Sequence, residues 1–115
     1  MKFKFIGNAG GIFTGSGGTR ILCDPWIVDG VFEDAWYHYP PLKTKLSDIK
    51  DVDAIYVSHI HSDHYDEKNF DFPKNIPLII LNEGPNFLKK NLINEGYSNL
   101  IEIKNNETIE FKEFK

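Results

Sequence analysis

The sequence predicts an α/β fold in a single small domain covering residues 1–115. Three observations predict it. The chain opens with short stretches of period-two alternation separated by glycine turns. Its second half alternates apolar, β-branched runs with one helical stripe. Its composition, 41% hydrophobic and 26% charged over 115 residues, is that of a globule with one core.

The elements follow in chain order. Lys2 to Ile6 alternates charged and apolar side chains, the period of a half-buried strand, and Gly7-Asn8-Ala9-Gly10-Gly11 breaks it. Ile12-Phe13-Thr14 is a short second strand. Gly15-Ser16-Gly17-Gly18 is a hairpin turn, because glycine alone takes positive φ without steric cost. Thr19 to Cys23 is a third strand, stopped by Asp24-Pro25. The segment from Trp26 to Leu46 is rich in aromatic residues and has no periodicity, a length at which connections are often functional. Leu46 to Lys50 predicts one helical turn, and Asp53 to Ser58 a buried central strand. A short helical stretch around Asp66 to Phe70 precedes the strand Ile76 to Leu81. Asn86 to Glu95 is the clearest helix, with Phe87, Leu88, Leu92 and Ile93 as its apolar stripe and Gly96 as its stop. Asn99 to Ile103 and Thr108 to Phe114 predict two last strands around a polar turn.

Charge and composition exclude several classes. Thirteen Lys and Arg against 17 Asp and Glu give a net charge of −4, against the basic face of a free-standing nucleic-acid binder. Cys23 is the single cysteine, so neither an internal disulfide framework nor a cysteine-rich zinc module is available. The N-terminus has no signal-peptide pattern, and the longest apolar run, Ile76 to Leu81, falls far short of the about 20 residues that cross a bilayer. The expectation is a reduced, cytoplasmic protein with no membrane or nucleic-acid partner.

The chemistry concentrates in His59-Ile60-His61-Ser62-Asp63-His64, directly after the strand that ends at Ser58. Open α/β sheets gather ligands at the C-terminal ends of their strands. In extended backbone His59 and His61 project to one side, so their imidazoles can converge on one ion. A turn after them swings Asp63 and His64 toward a neighbouring position. Imidazole mixed with carboxylate suits zinc, manganese or iron and does not suit calcium. The bland alternative, a solvated polar loop, leaves crowded histidines that repel when protonated. Other features read as structure. Gly15–Gly18 lacks a phosphate-binding fingerprint, Cys23 reads as an inert core thiol, and Ser58 and Ser62 lack a triad. The aromatic loop either rims a substrate pocket or covers the core.

His-x-His-x-Asp-His after a hydrophobic strand resembles the signature of the metallo-β-lactamase superfamily. Gly7-Asn8-Ala9-Gly10 and Ile21-Leu22-Cys23-Asp24-Pro25-Trp26 match the start of that fold. The Asp-Pro-Trp motif and the loop Trp36-Tyr37-His38-Tyr39-Pro40-Pro41 are similar to a branch with phosphodiesterase- and lactonase-like hydrolases. The same branch is similar to part of CMP-N-acetylneuraminate hydroxylase. The resemblance implies the N-terminal half of an αββα sandwich, with a mixed, mostly antiparallel sheet and one or two helices. It also implies that His59 and His61 bind a first metal, and Asp63 and His64 a second. Asp63 is then the candidate catalytic carboxylate. Asp24 becomes an anchor behind the ligand loop, although residue chemistry alone reads it equally well as an Asp-Pro turn opener.

No histidine follows His64, so the later ligands that the resemblance implies are not in this chain, and His38 matches no ligand position. The expected function is a metal-dependent hydrolase, one or two zinc ions (manganese or iron as alternatives) activating water toward an ester, lactone or phosphoester. Two alternatives stand beside it. One is a non-catalytic module that pairs with a second copy or a complementary C-terminal half. The other is a fragment of an iron-dependent oxygenase similar to the sialic-acid hydroxylase. A half-sandwich is expected to leave an apolar sheet face exposed.

Overall fold

The computed structural model describes residues 1–115 as one six-stranded sheet. The strands are β1 (Lys2–Gly7), β2 (Gly10–Thr14), β3 (Arg20–Cys23), β4 (Ala54–Val57), β5 (Leu78–Leu81) and β6 (Leu100–Ile103), and their order in the sheet follows the chain. Pairs β1–β2 and β2–β3 are antiparallel, whereas β3–β4, β4–β5 and β5–β6 are parallel. The sheet is mixed as expected, but its parallel pairings outnumber the antiparallel ones. The reason is that every connection after β3 is long enough to cross over rather than turn back. Two short 3₁₀ turns, Leu46–Ile49 and Glu67–Asn69, lie in these crossovers, where the sequence indicated helical turns.

One face of the sheet carries the main core. Ile12, Leu22, Ile55 and Leu78 occupy one row across β2 to β5, each pairing with the next. They belong to a cluster of 17 buried residues that also takes in Phe70, Phe72, Leu88, Leu92 and Tyr97. Helix α2 (Phe87–Asn94) lies on this side and buries Leu88 and Leu92, each contributing roughly 1.5–3 kcal/mol of transfer free energy. Its stop at Gly96 is the one the sequence indicates, and its start is fixed by a cap at Asn86, a residue the sequence places inside the helix. The Asn86 side chain accepts from the Lys89 backbone N–H at 2.9 Å, and Gly96, at φ 90°, closes a Schellman motif. In that motif Gly96 N–H donates to Ile93 and Tyr97 N–H to Leu92.

The opposite face is thinner. Ile21, Ala54 and Ile79 form a cluster of only three buried residues, flanked by the half-buried Cys23, Tyr56, Ile101 and Ile103. Residues 108–114, expected to form a strand, do not extend the sheet. Phe111 pairs only with Phe114 across a turn at Lys112 (φ 52°), and Ile109, Phe111 and Phe114 lie over this face. Long-range bonds outweigh the local alternation here. The Glu113 carboxylate accepts from Gly17 N–H and Thr19 N–H at 3.0 Å each and from the Thr19 hydroxyl. The apolar face is therefore partly covered by the chain's own tail.

Burial pushes the Cys23 thiol up to about 12, with the neighbouring Asp24 carboxylate adding to the shift. The thiol stays protonated at neutral pH, as its reading as an inert core residue requires. Iodoacetamide at pH 8 is therefore expected to label the folded chain slowly and the urea-unfolded chain rapidly. Equal rates in the two states would mean that Cys23 is open to solvent.

The long loop between β3 and β4 includes a single turn, α1 (Val31–Asp34), which the sequence did not indicate; Phe32, Glu33 and Asp34 take positive φ. Its other support comes from Asn69, fully buried, whose side-chain oxygen accepts from Ile27 N–H and Val28 N–H at 2.8 and 2.9 Å. No helix is long and apolar enough to cross a membrane.

Candidate metal centre

Because β1, β3 and β4 run in the same direction, their C-terminal ends meet at one edge of the sheet. Three segments meet there: the Gly7–Gly10 turn after β1, Asp24 after β3, and Ser58 to His64 after β4. After His61 the backbone turns sharply, with His64 N–H and Tyr65 N–H both donating to the His61 carbonyl at 2.8 Å. That turn brings Asp63 and His64 round beside His59 and His61.

The side chains form two adjacent donor pairs. His59 Nε2 lies 3.1 Å from His61 Nδ1, and Asp63 Oδ2 lies 3.5 Å from His64 Nε2. The two pairs touch through the His59 and His64 rings, whose centroids are 4.0 Å apart. No three His, Cys, Asp or Glu side chains converge as one complete donor set. Two nitrogens bound to one tetrahedral zinc at about 2.0–2.1 Å stand about 3.3 Å apart, so the separation of the histidine pair fits two ligands of such an ion. This chain thus fits a metal as a contributor of ligand pairs, with the other coordination positions left to donors outside this set.

Electrostatics favour the metal-binding protonation state. Partial desolvation holds the His59 imidazole below its usual range, and His64 and His61 push it the same way against Asp24 and Asp63. A neutral imidazole has the lone pair that a metal requires.

Asp24 sits behind these rings, only 8% exposed and at positive φ. Its Oδ1 accepts from Ser58 N–H at 2.8 Å and from the Ser58 hydroxyl at 3.0 Å. Its Oδ2 stands 3.2 Å from His64 Nδ1. Asn8, at φ 50°, donates from Nδ2 to Asp63 Oδ2 at 3.1 Å. Sequence reasoning assigned no role to Ser58 or Asn8. The contact from Asn8 spans 55 residues and has no local signal, whereas the position of Ser58 directly before the first histidine was a usable one.

His38 is engaged elsewhere. Its Nδ1 pairs with Asp29 Oδ1 at 2.6 Å, and its ring lies 4.1 Å from that of Trp26. Of the aromatic loop's two readings, core cover falls to Ile27 and Val31 rather than to the half-buried Trp26 and the 39% exposed Trp36. Ile27 and Val31 are buried, while Phe32 and Glu33 line a cavity of about 650 Å³ with Ile60, Ser62, Tyr65 and Glu95. On the other side, His59 walls a cleft of about 130 Å³ with Glu83 and Phe87.

Known proteins share this fold. A family model described as a β-lactamase superfamily domain matches residues 2–113. Two solved structures superpose on the chain. A Veillonella parvula protein described as a possible metal-dependent hydrolase has a TM-score of 0.75 and 26% identity, over 96% of this chain and 44% of its own. An isothiocyanate hydrolase from Delia radicum gut bacteria has a TM-score of 0.71 and 26% identity, over 90% of this chain and 42% of its own. Among curated relatives, a Mycobacterium tuberculosis protein named for a Rieske 2Fe-2S iron–sulfur centre is 32% identical over 83% of this chain. The cytidine monophosphate-N-acetylneuraminic acid hydroxylase of Danio rerio is 37% identical over 43% of it. The chain spans only 18% and 8% of those two relatives. With a match running from Lys2 to Glu113 and hydrolases among its structural neighbours, the chain belongs to the metallo-β-lactamase superfamily.

Proposed function

We propose that this chain supplies one set of ligands of a metal-dependent hydrolase, with His59 and His61 holding one ion and Asp63 and His64 a second beside it. The observation that carries this reading is the pair of donor couples, 3.1 and 3.5 Å across, at the C-terminal edge of the parallel strands. Imidazole and carboxylate donors suit zinc, with manganese or iron as alternatives. When bound, such an ion lowers the pKa of its water toward about 7 and so supplies hydroxide for attack on an ester, lactone or phosphoester.

The residues themselves have separate tasks. His59 and His61 offer neutral ring nitrogens. Asp63, its carboxylate oriented by Asn8, is placed to bind the second ion and to accept a proton from the nucleophile. Asp24 holds the His64 ring and the start of the ligand loop. A small-molecule substrate has space in the cleft that His59 walls with Glu83 and Phe87, whereas the larger cavity walled by Ile60, Ser62 and Phe32 takes no lining from the four donor side chains.

Elemental analysis after incubation with zinc tests this reading. His59→Ala and His61→Ala are expected to lower bound metal, while His38→Ala, whose ring is committed to Asp29, retains it. Equal metal in all three variants overturns the assignment. The named relatives are compatible with one other reading, part of an iron-dependent oxygenase. Bound iron with oxygen-dependent turnover would select it over zinc with hydrolysis.

A further inference from the structure

We infer that Ser58 is a positioning residue for the metal centre proposed above, fixing the tautomer of His59 through a hydroxyl relay from Asp24. The inference rests on that reading for its functional meaning, and on four contacts for its geometry. Ser58 Oγ lies 3.0 Å from Asp24 Oδ1, 2.9 Å from His59 Nδ1 and 3.2 Å from His64 Nδ1. The Ser58 backbone N–H donates to the same Asp24 oxygen at 2.8 Å, which locks the hydroxyl in place.

Proton bookkeeping decides the direction. A hydroxyl has one proton and two lone pairs, and a carboxylate at neutral pH only accepts. The Ser58 proton therefore goes to Asp24, and its lone pairs face the imidazoles. His59 Nδ1 must carry hydrogen and donate to Ser58, which leaves Nε2 as the bare nitrogen. That nitrogen is the one facing His61 Nδ1 at 3.1 Å. In the metal-free chain His61 Nδ1–H donates to it; His59 is then already in its ligating tautomer, whereas His61 would have to move its proton to Nε2 before Nδ1 could bind an ion. His64 is held in the same sense, since its Nδ1 faces both Asp24 Oδ2 and Ser58 Oγ at 3.2 Å. One serine hydroxyl thus extends a single carboxylate to two rings. The hydrogen bond on the remote nitrogen of a ligating histidine sets its tautomer and typically changes metal affinity 10- to 100-fold.

The test compares the full chain with Ser58→Ala and Ser58→Thr. In the metal-free proteins, ¹⁵N imidazole correlation spectra are expected to show His59 as the Nδ1–H tautomer in the wild type and Ser58→Thr. Ser58→Ala is expected to give a mixture. Competition titration with zinc should then show affinity roughly 10- to 100-fold lower in Ser58→Ala and restored in Ser58→Thr. An unchanged His59 tautomer in Ser58→Ala overturns the relay. So does the Nε2–H tautomer in the wild type, which is decisive even where the alanine variant does not fold. Failure of the wild type to bind zinc, with the tautomer shift still present, overturns the metal reading and leaves the relay standing.

Discussion

Asp24→Ala is expected to lower stability by about 2–4 kcal/mol, because it strands the Ser58 N–H and the His64 ring at a site only 8% exposed. Each buried donor left without a partner costs roughly 1–3 kcal/mol. For a chain of this size the melting temperature should fall by about 10 °C. The same substitution should weaken zinc binding about 10- to 100-fold, since His64 loses its carboxylate and Ser58 the acceptor that directs its proton. Asp24→Asn separates the two effects. It keeps the shape and tolerates the positive φ at this position, but its amide NH₂ opposes the donor on His64 Nδ1. Stability should largely recover in Asp24→Asn while metal affinity does not. Calorimetric melting of both variants beside zinc titration checks this. Melting within about 2 °C of wild type in Asp24→Ala would mean that the carboxylate anchors nothing.

What the sequence revealed follows the range of the interactions. The strands β3 to β6 and helix α2 were legible because local rules govern them: β-branched runs, an apolar stripe, a glycine stop. The grouping of His59, His61, Asp63 and His64 was legible because all four lie within six residues of chain, and a turn at His61 suffices to gather them. Residues 108–114 show the opposite. Thr108-Ile109-Glu110-Phe111 alternates as a strand does, yet the segment turns at Lys112 because Glu113 is drawn to Gly17 and Thr19, more than 90 residues away. Asn8 and Asn69 were silent for the same reason, since their partners lie 55 and about 40 residues distant. The role of Asp24 lay between these cases. Its Asp-Pro context described a turn equally well, and its contacts with Ser58 and His64 emerge only once β3 and β4 lie side by side.

The second sheet face gives the other large expected effect, on the mass in solution. Phe3 and Phe5 pair with Phe13 and Gly11 on β2, which places them on the thinly covered side, and they remain 56% and 64% exposed. They extend an apolar groove of about 240 Å³ lined by Phe13, Ile21, Tyr56, Ile79, Phe111 and Phe114. The tail covers the middle of this face but leaves β1 open at the sheet edge, where a second chain can pair backbone as well as side chains. Stable interfaces bury about 800 Å² per partner, a demand that an open sheet face next to an unpaired edge strand can meet. At tens of micromolar the chain is expected to run as a dimer or larger, well above its 13.3 kDa monomer mass by light scattering. Phe3→Lys combined with Phe5→Lys places like charges on the mating surfaces and should return it to monomer. Both positions lie away from His59–His64, so zinc stoichiometry should not change. A monodisperse wild-type monomer that unfolds cooperatively would show that the tail alone closes this face. It would also remove the physical case for a second copy.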